Sequence, residues 1–450
     1  MTASTSMPAT HTFDEDHYAF GSKGYAWLVC LLLSGLQIVS NMERQIINLV
    51  VEPLRRDFHI QDVQVSVLQG IAFALFYAVV AVPIGWLADR WRRDRIIIAG
   101  MALWALCTLG CMIARSFEML FVARLLIGLA DASLVPASMS LLGDYFPRAR
   151  LAGPVGILTG ATFLGSGMAL TFGGLLLAIL PVDRDVALPL FGSIHGWQLA
   201  FGIMCLIGIA FTLALLAIRE PVRRDRSAVA GTANHSASFR DVIAFLIRQR
   251  RSLGSLLTGL ILLGTYQYGF SAWAVTMFIR VHGWSATRIG FIYGLYLMIL
   301  GPTASALGGR ICDWLRARGR ADANYLVPLG GVIALLPLTV TFSLAHSGTT
   351  AAVLLGFVSF ASIICFGPAM AAIPDTVPST MRAQTVAITM LLSTLVGGGG
   401  GPWLIAMFTQ NIFANTAAIG WSMAVCAGLL LLPTAIFFYS GARTARRQET

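Results

Sequence analysis

The feature that most limits what this chain can become is a series of long apolar runs joined by short, arginine-bearing loops. A helix needs about 20 mostly apolar residues to cross the hydrocarbon core of a bilayer. Inside that core every backbone N–H and C=O must be satisfied within the segment, which favours helices. Twelve runs meet the length: 25–54, 64–88, 95–115, 118–145, 151–180 and 196–218, then 251–280, 286–309, 324–345, 350–374, 381–409 and 416–440. Charged residues make up 12% of the chain and hydrophobic ones 57%, where a soluble domain carries about 25% charged. The expected fold class is an all-α membrane protein with twelve transmembrane helices.

The cations give an orientation, because Lys and Arg accumulate in cytoplasmic loops. Of the 31 Lys and Arg residues, six fall in loops on the side away from the termini: Arg55, Arg56, Arg115, Arg184, Arg280 and Arg288. Arg44 and Arg124 fall inside spans, and the rest share the side of the termini. Both termini are therefore expected in the cytoplasm. The widest polar gap, 219–250, reads as a cytoplasmic linker, charge-rich in "REPVRRDRS" and then small and polar. It separates a half spanning 25–218 from one spanning 251–440, with tails at 1–24 and 441–450. The halves echo each other: Gly85, Leu87 and Asp89 after the second run match Gly309, Ile311 and Asp313 after the eighth in spacing. Two pseudo-symmetric six-helix halves, with a site between them near mid-membrane, are common among secondary transporters.

Several function classes are excluded on the same grounds. The first residues are polar, with Asp14, Glu15 and Asp16 beside His17, so no signal peptide is read. The seven cysteines are scattered through apolar runs without ligand spacing, and histidine is sparse, so neither a metal site nor any cofactor is expected. Nucleic acid is not an expected partner, because the positive charge is divided among short loops rather than gathered on one face. The single lysine, Lys23, follows Ser22 outside any Gly-x-x-x-x-Gly-Lys context, which argues against ATP drive.

Inside the first run, "SNMERQIINLVVEP" places Glu43 next to Arg44. Adjacent helical residues point about 100° apart, so these two are poorly placed to neutralise each other. The fourth run carries Arg124 and Asp131, seven apart and on one face, about 10 Å apart along the axis. These four are the charges well inside the spans, and each costs about 2.5–3.5 kcal/mol or more at mid-membrane if it faces lipid. They are expected to pair across helices and to face the cavity between the halves, with the pairing left open. Burial and a neighbouring arginine act in opposite senses on a carboxylate's hold on its proton. A competing substrate anion or a change in water access can then move a proton on or off, which makes Glu43 and Asp131 candidate proton-coupling groups. Arg44 and Arg124 are candidates for gripping a phosphate or carboxylate head, since guanidinium binds either bidentately. A purely structural ion-pair network is the alternative. The second half offers Tyr266, Gln267, Tyr268 and Trp273 in its first run and Tyr293 and Tyr296 in its second, candidate substrate-binding residues that serve equally well as packing. The run "VGGGGGPW" reads as a hinge or close-contact site, and Pro136, Pro154, Pro302 and Pro368 as points of flexure.

The loop "GWLADRWRRDR" follows the second run. Asp89, Arg90 and Arg93, with Asp313 in the repeat, form a candidate conformational latch. Gly85-x-Leu87-x-Asp89-Arg90-x-x-Arg93 resembles the signature loop of the major facilitator superfamily, with Arg92 where that family often has Gly. Within it, "NMERQIINLVVEPLRRDF", "ARLLIGLADASLVPASMSLLGDYFPRARLAG" and "GPAMAAIPDTVPSTMRAQTVAITM" resemble bacterial relatives of the Spinster-like lipid transporters. That group typically has Asp-Arg in the first helix and Glu in the fourth; Glu43-Arg44 and Asp131 keep the acids with their lengths exchanged.

The resemblance implies a proton-coupled secondary transporter of an amphiphilic lipid, of lysophospholipid or sphingoid type, working by alternating access. It also implies a non-enzymatic, multi-pass protein of a bacterial inner membrane, and a monomer is expected. Its partners would be the substrate, protons and the lipid bilayer. Two other readings stay open: a proton symporter for a small organic anion, and a membrane sensor on the same scaffold.

Overall fold

The computed structural model describes residues 22–147, 150–182, 184–189, 191–221, 239–249, 253–320, 322–378 and 381–447. Residues 1–21 of the expected N-terminal tail, most of the linker and the last three residues lie outside these. Among the described residues there are twelve helices of membrane-spanning length. In the first half they are α1 (Lys23–Ile46), α2 (62–90), α3 (Arg93–Met112), α4 (Phe117–Tyr145), α5 (Ala152–Ile179) and α6 (Leu199–Leu215). The second half has α7 (Ser255–His282), α8 (Ala286–Ala317), α9 (Ala323–Ser343), α10 (Gly348–Thr376), α11 (382–412) and α12 (Ile419–Arg447). Eleven of the described helices are long and apolar enough to cross a membrane by length and composition. The twelfth, α7, has the length, with Tyr266, Gln267 and Tyr268 diluting its middle.

Helix ends follow the local chemistry. Ser22, Ser116 and Ser285 accept from the backbone N–H three residues on, starting α1, α4 and α8. Gly283 and Gly319, at φ +65° and +75°, stop α7 and α8 in a conformation that a Cβ disfavours. Between α5 and α6 a small antiparallel hairpin, β1 (Asp185–Leu188) and β2 (Gly192–His195), covers the end of the molecule opposite the termini. The linker is not all coil: its last part is a helix, Phe239–Arg248. Phe239, Val242, Ile243 and Leu246 repeat at helical spacing there, a pattern that the polar composition upstream hid.

The helix interruptions differ from expectation in kind. Pro136 takes part in a break: α4 stops at Asp131 and resumes at Leu134. A proline ring clashes with the carbonyl four residues back, here Ala132, and supplies no N–H to it. Pro154 sits in the first turn of α5, where a missing N–H costs little. Pro302 and Pro368 lie within continuous α8 and α10. The glycine run of α11 does not break the helix; it begins within a widened π turn at Ser393–Gly398, and α2 carries another at Val67–Ile71. Such turns are rare and concentrate at functional sites.

The two π turns meet. A Cβ on Gly70 would lie 1.9 Å from Gly398 O, so backbones of opposite halves touch there. On the other flank α5 and α8 do the same: a Cβ on Gly294 would lie 2.4 Å from Gly167 O. Small residues let membrane helices approach closely enough for backbone dispersion contacts to replace the hydrophobic drive that lipid removes.

Gly70→Ala should therefore force α2 and α11 apart, with about 1–3 kcal/mol lost to overpacking. A clear fall in the thermal-unfolding midpoint of the purified protein is expected. Gly156→Ala, where nothing lies within 4 Å of the new carbon, should leave that midpoint unchanged.

Candidate functional site

The divergence of Glu43 and Arg44 on α1 decides the geometry of the whole site. Glu43 turns back into its own half, where Oε1 accepts from Arg124 Nη1 at 2.9 Å, and both side chains are fully buried. Arg124 Nε donates to Leu68 O at 2.9 Å, within the π turn of α2. Arg44 turns the other way. It pairs with Asp131, whose second oxygen accepts from Ser40 Oγ one turn earlier on α1. The Arg44 guanidinium also lies 4.0 Å from the centroid of the Phe73 ring, a cation–π contact.

The four charges are thus two ion pairs with different surroundings. Arg44 is 24% exposed and lines a cavity between the halves, while Asp131, 4% exposed, stands behind it. Glu43 and Arg124 do not reach that cavity, contrary to the expectation that all four would. The reason is rotational. Once Arg44 points to the centre, its neighbour must point about 100° away, into the bundle.

The cavity holds about 50 Å³ of open space, and residues of both halves line it. Arg44, Gln45, Asn48, Gln69 and Phe73 come from one side; Tyr268, Ser271 and Thr394 come from the other. Gln69 Nε2 donates to Asn48 Oδ1 at 3.0 Å and, across the seam, to Ala272 O at 3.1 Å. Gln45, Asn48, Gln69, Ser271 and Thr394 escaped the sequence reading. Asn48 lies four residues after Arg44 and shares its face, a spacing that could have flagged it. Gln69 had no such marker.

Of the expected aromatic wall, Tyr268 reaches the cavity and is half-exposed. The others are placed within the second half. Tyr266 is buried, with its hydroxyl 2.5 Å from Thr339 Oγ1. Trp273 is buried and donates to Pro402 O at 2.9 Å. Tyr293 is buried, Tyr296 packs over Gly356 of α10, and Gln267 donates to Ser362 O at 2.8 Å.

The expected latch residues are spread out. Arg93 is buried at the start of α3 and ties three segments of one half together. It lies 2.5 Å from Asp144 of α4, 3.1 Å from Glu220 beyond α6, and 3.0 Å from both Ser140 O and Ser140 Oγ. Arg90 is exposed, as is Asp313, and the side chain of Asp89 lies outside the described residues. An acid the sequence reading passed over, Asp322, secures the corresponding end of the second half. It accepts from Arg320 Nε at 3.0 Å and from Arg446 Nε at 2.5 Å. Burial opposes its ionisation, and these two arginines overcome that and hold its carboxyl below the usual range.

A family comparison settles the class. The family model described as Major Facilitator Superfamily matches residues 33–402. The chain belongs to the major facilitator superfamily. Among curated relatives it is 23% identical to an "MFS-type efflux pump" of Mycolicibacterium smegmatis, covering 96% of each chain. It is 25% identical to "Protein spinster homolog 1" of Bos taurus, covering 94% of this chain and 83% of that one. It is 24% identical to the "Sphingosine-1-phosphate transporter SPNS2" of Danio rerio, covering 99% and 93%. Its fold matches the crystal structure of a bacterial homolog of the human lysosomal transporter Spinster at a TM-score of 0.82 and 24% identity, over 95% and 99% of the two chains. The chain is a multi-pass membrane transporter of this superfamily, similar over nearly its whole length to Spinster proteins, and not an enzyme.

The sealed pair has a direct energetic consequence. Removing one partner of a buried ion pair leaves the other charged in the core, at about 3–5 kcal/mol. Arg124→Met should therefore destabilise the protein strongly, while Glu43→Gln combined with Arg124→Met should recover much of the loss. Thermal unfolding of the single and double variants measures this. An Arg124→Met protein as stable as the parent would contradict the burial described.

Proposed function

We propose that this transporter moves an amphiphile with an anionic head group by alternating access, coupled to protons through Asp131. The observation that carries the reading is the Arg44–Asp131 pair at the edge of the inter-half cavity. Arg44 there has an exposed face and a partner that an anion can displace. When a phosphate or carboxylate takes Arg44, Asp131 keeps Ser40 but loses its counter-charge in a water-poor setting. A carboxylate left without its cation in such surroundings gains a proton. Release of the head group reverses the exchange. Glu43 and Arg124, sealed one layer behind, hold α1 against α4 and position Arg44.

The lipid part of the proposal draws on the relatives named for Spinster and for sphingosine-1-phosphate. It is consistent with a head-group pocket that is charged on one wall and presents neutral Tyr268, Ser271 and Thr394 on the other. The distribution of loop arginines supports a cytoplasmic position for the termini and the linker. A second reading, proton symport of a small organic anion, is favoured by the cavity itself. Its open space of about 50 Å³ is of a size that suits a small polar group.

Flux of lysolipids and of small organic acids in proteoliposomes, with and without a pH gradient, separates the two. Parent protein should move lysolipids faster with the gradient. Asp131→Asn should fold and lose that dependence, and Arg44→Gln should lose saturable uptake. Unchanged pH dependence in Asp131→Asn would refute the coupling. Movement of organic acids without lysolipids would select the second reading.

A further inference from the structure

A second cavity, of about 190 Å³, lies at the end of the molecule opposite the termini and shares no lining residue with the inner one. Both halves build it. Arg55, on the short helix Val51–Phe58 after α1, and Gln61, just before α2, come from the first half. Gln410, in the last turn of α11, and Asn415 and Thr416, beyond it, come from the second. Asp62 stands in the wall, but its two oxygens are taken by the terminal nitrogens of Arg280 of α7, at 2.7 and 2.8 Å. Arg280 Nε also donates to Glu52 Oε1 at 2.6 Å. Arg55 is left with the poorer share of both acids. It lies 3.0 Å from Asp62 Oδ1 and 3.6 Å from Glu52 Oε2, and its buried Nε makes no hydrogen bond among the described residues.

The hydrogen-bonding groups of the wall are unbalanced. The acceptors are occupied. Gln61 Oε1 takes the side-chain N–H of Gln410 and the backbone N–H of Gln64. Gln410 Oε1 takes Val63 N at 3.1 Å, and Asn415 Oδ1 takes Ala417 N at 2.9 Å. The donors are not occupied. Gln61 Nε2, Asn415 Nδ2, the Thr416 hydroxyl and the Arg55 guanidinium donate to nothing among the described residues. A guanidinium carries five N–H groups and each amide two, so the surplus is large. We propose that this cavity is an outer oxyanion site that binds a phosphate group. Arg55 and Arg280 balance Glu52 and Asp62 in charge, so no net negative charge repels an anion; what the cavity lacks is acceptor oxygens. Its donors come from three stretches of chain. That arrangement suits the three free oxygens of a tetrahedral phosphate better than the two of a flat carboxylate. The phosphate arrives either on the head of an amphiphile or as a free anion from this side of the membrane.

The site stands apart from the substrate reading, because its test removes the inner arginine and measures binding rather than flux. Isothermal titration calorimetry in dodecyl maltoside, with inorganic phosphate and monobutyl phosphate as probes, should find one saturable site in Arg44→Gln. Asn415→Asp keeps the oxygen that caps Ala417 N, removes the amide donors and adds a negative charge. Placed on Arg44→Gln, it should weaken binding of the probes roughly tenfold or more. Arg55→Gln on the same background should do likewise. Arg288→Gln, at the same end but stacked on Trp284, should leave the affinity unchanged, which separates a built site from general attraction to arginines. Tighter binding of monobutyl phosphate supports the site as one for a head group, and tighter binding of inorganic phosphate as one for a free anion. Absence of binding in Arg44→Gln, or equal affinity with and without Asn415→Asp, would overturn the proposal. Should Arg44→Gln not fold, the parent and Asn415→Asp are compared instead: the parent should bind one more phosphate per chain, and equal stoichiometry and affinity would overturn the site.

Discussion

The bilayer interior supplies no water to charged groups, and the first half of this protein is organised around that fact. Two adjacent residues of α1 are charged, and helical geometry sends them to different faces. Each must meet a counter-charge from the protein. Helix α4 supplies both, from Arg124 and Asp131, two turns apart. The neighbouring elements adapt to this. The π turn of α2 presents Leu68 O to Arg124, Ser40 completes the shell of Asp131, and α4 breaks immediately beyond that acid.

The two pairs then divide the labour by exposure alone. A pair sealed from solvent cannot trade partners without leaving a charge bare, so it serves as a fixed brace. A pair with one face open keeps its cation within reach of the cavity. Identical residue types, an acid and an arginine, thus take different roles because one guanidinium faces the seam and the other faces the bundle. The second half answers with neutral groups. Tyr268, Ser271 and Thr394 bring polar groups to the cavity and add no charge that would have to be neutralised there.

Movement between the halves depends on the character of the seam. Where α2 meets α11 and α5 meets α8, glycines bring backbone against backbone, and contacts of that kind hold by dispersion without locking one register. Among the described residues, directional bonds across the seam include those at the cavity and at the end away from the termini, through Gln69, Gln410, Thr287 and Arg280.

The sequence by itself determined that twelve helices would form, that they would split into two related halves, and that four charges would be stranded in the first. Hydrophobic length, arginine placement and helical spacing are local properties, and the bilayer makes them decisive. The family resemblance rested on the same local strings. Only the tertiary structure decided that Glu43 would take Arg124 and Arg44 would take Asp131, because that choice depends on how far each helix is rotated about its own axis. The same rotation buried Tyr266, Trp273 and Tyr293 and left Tyr268 at the cavity, although all four lie in the same two runs. Arg280 looked like one more loop arginine, since the acids it meets are more than 200 positions away. Partnerships of that kind are fixed by the depth at which two helices end, and no local pattern of residues records it.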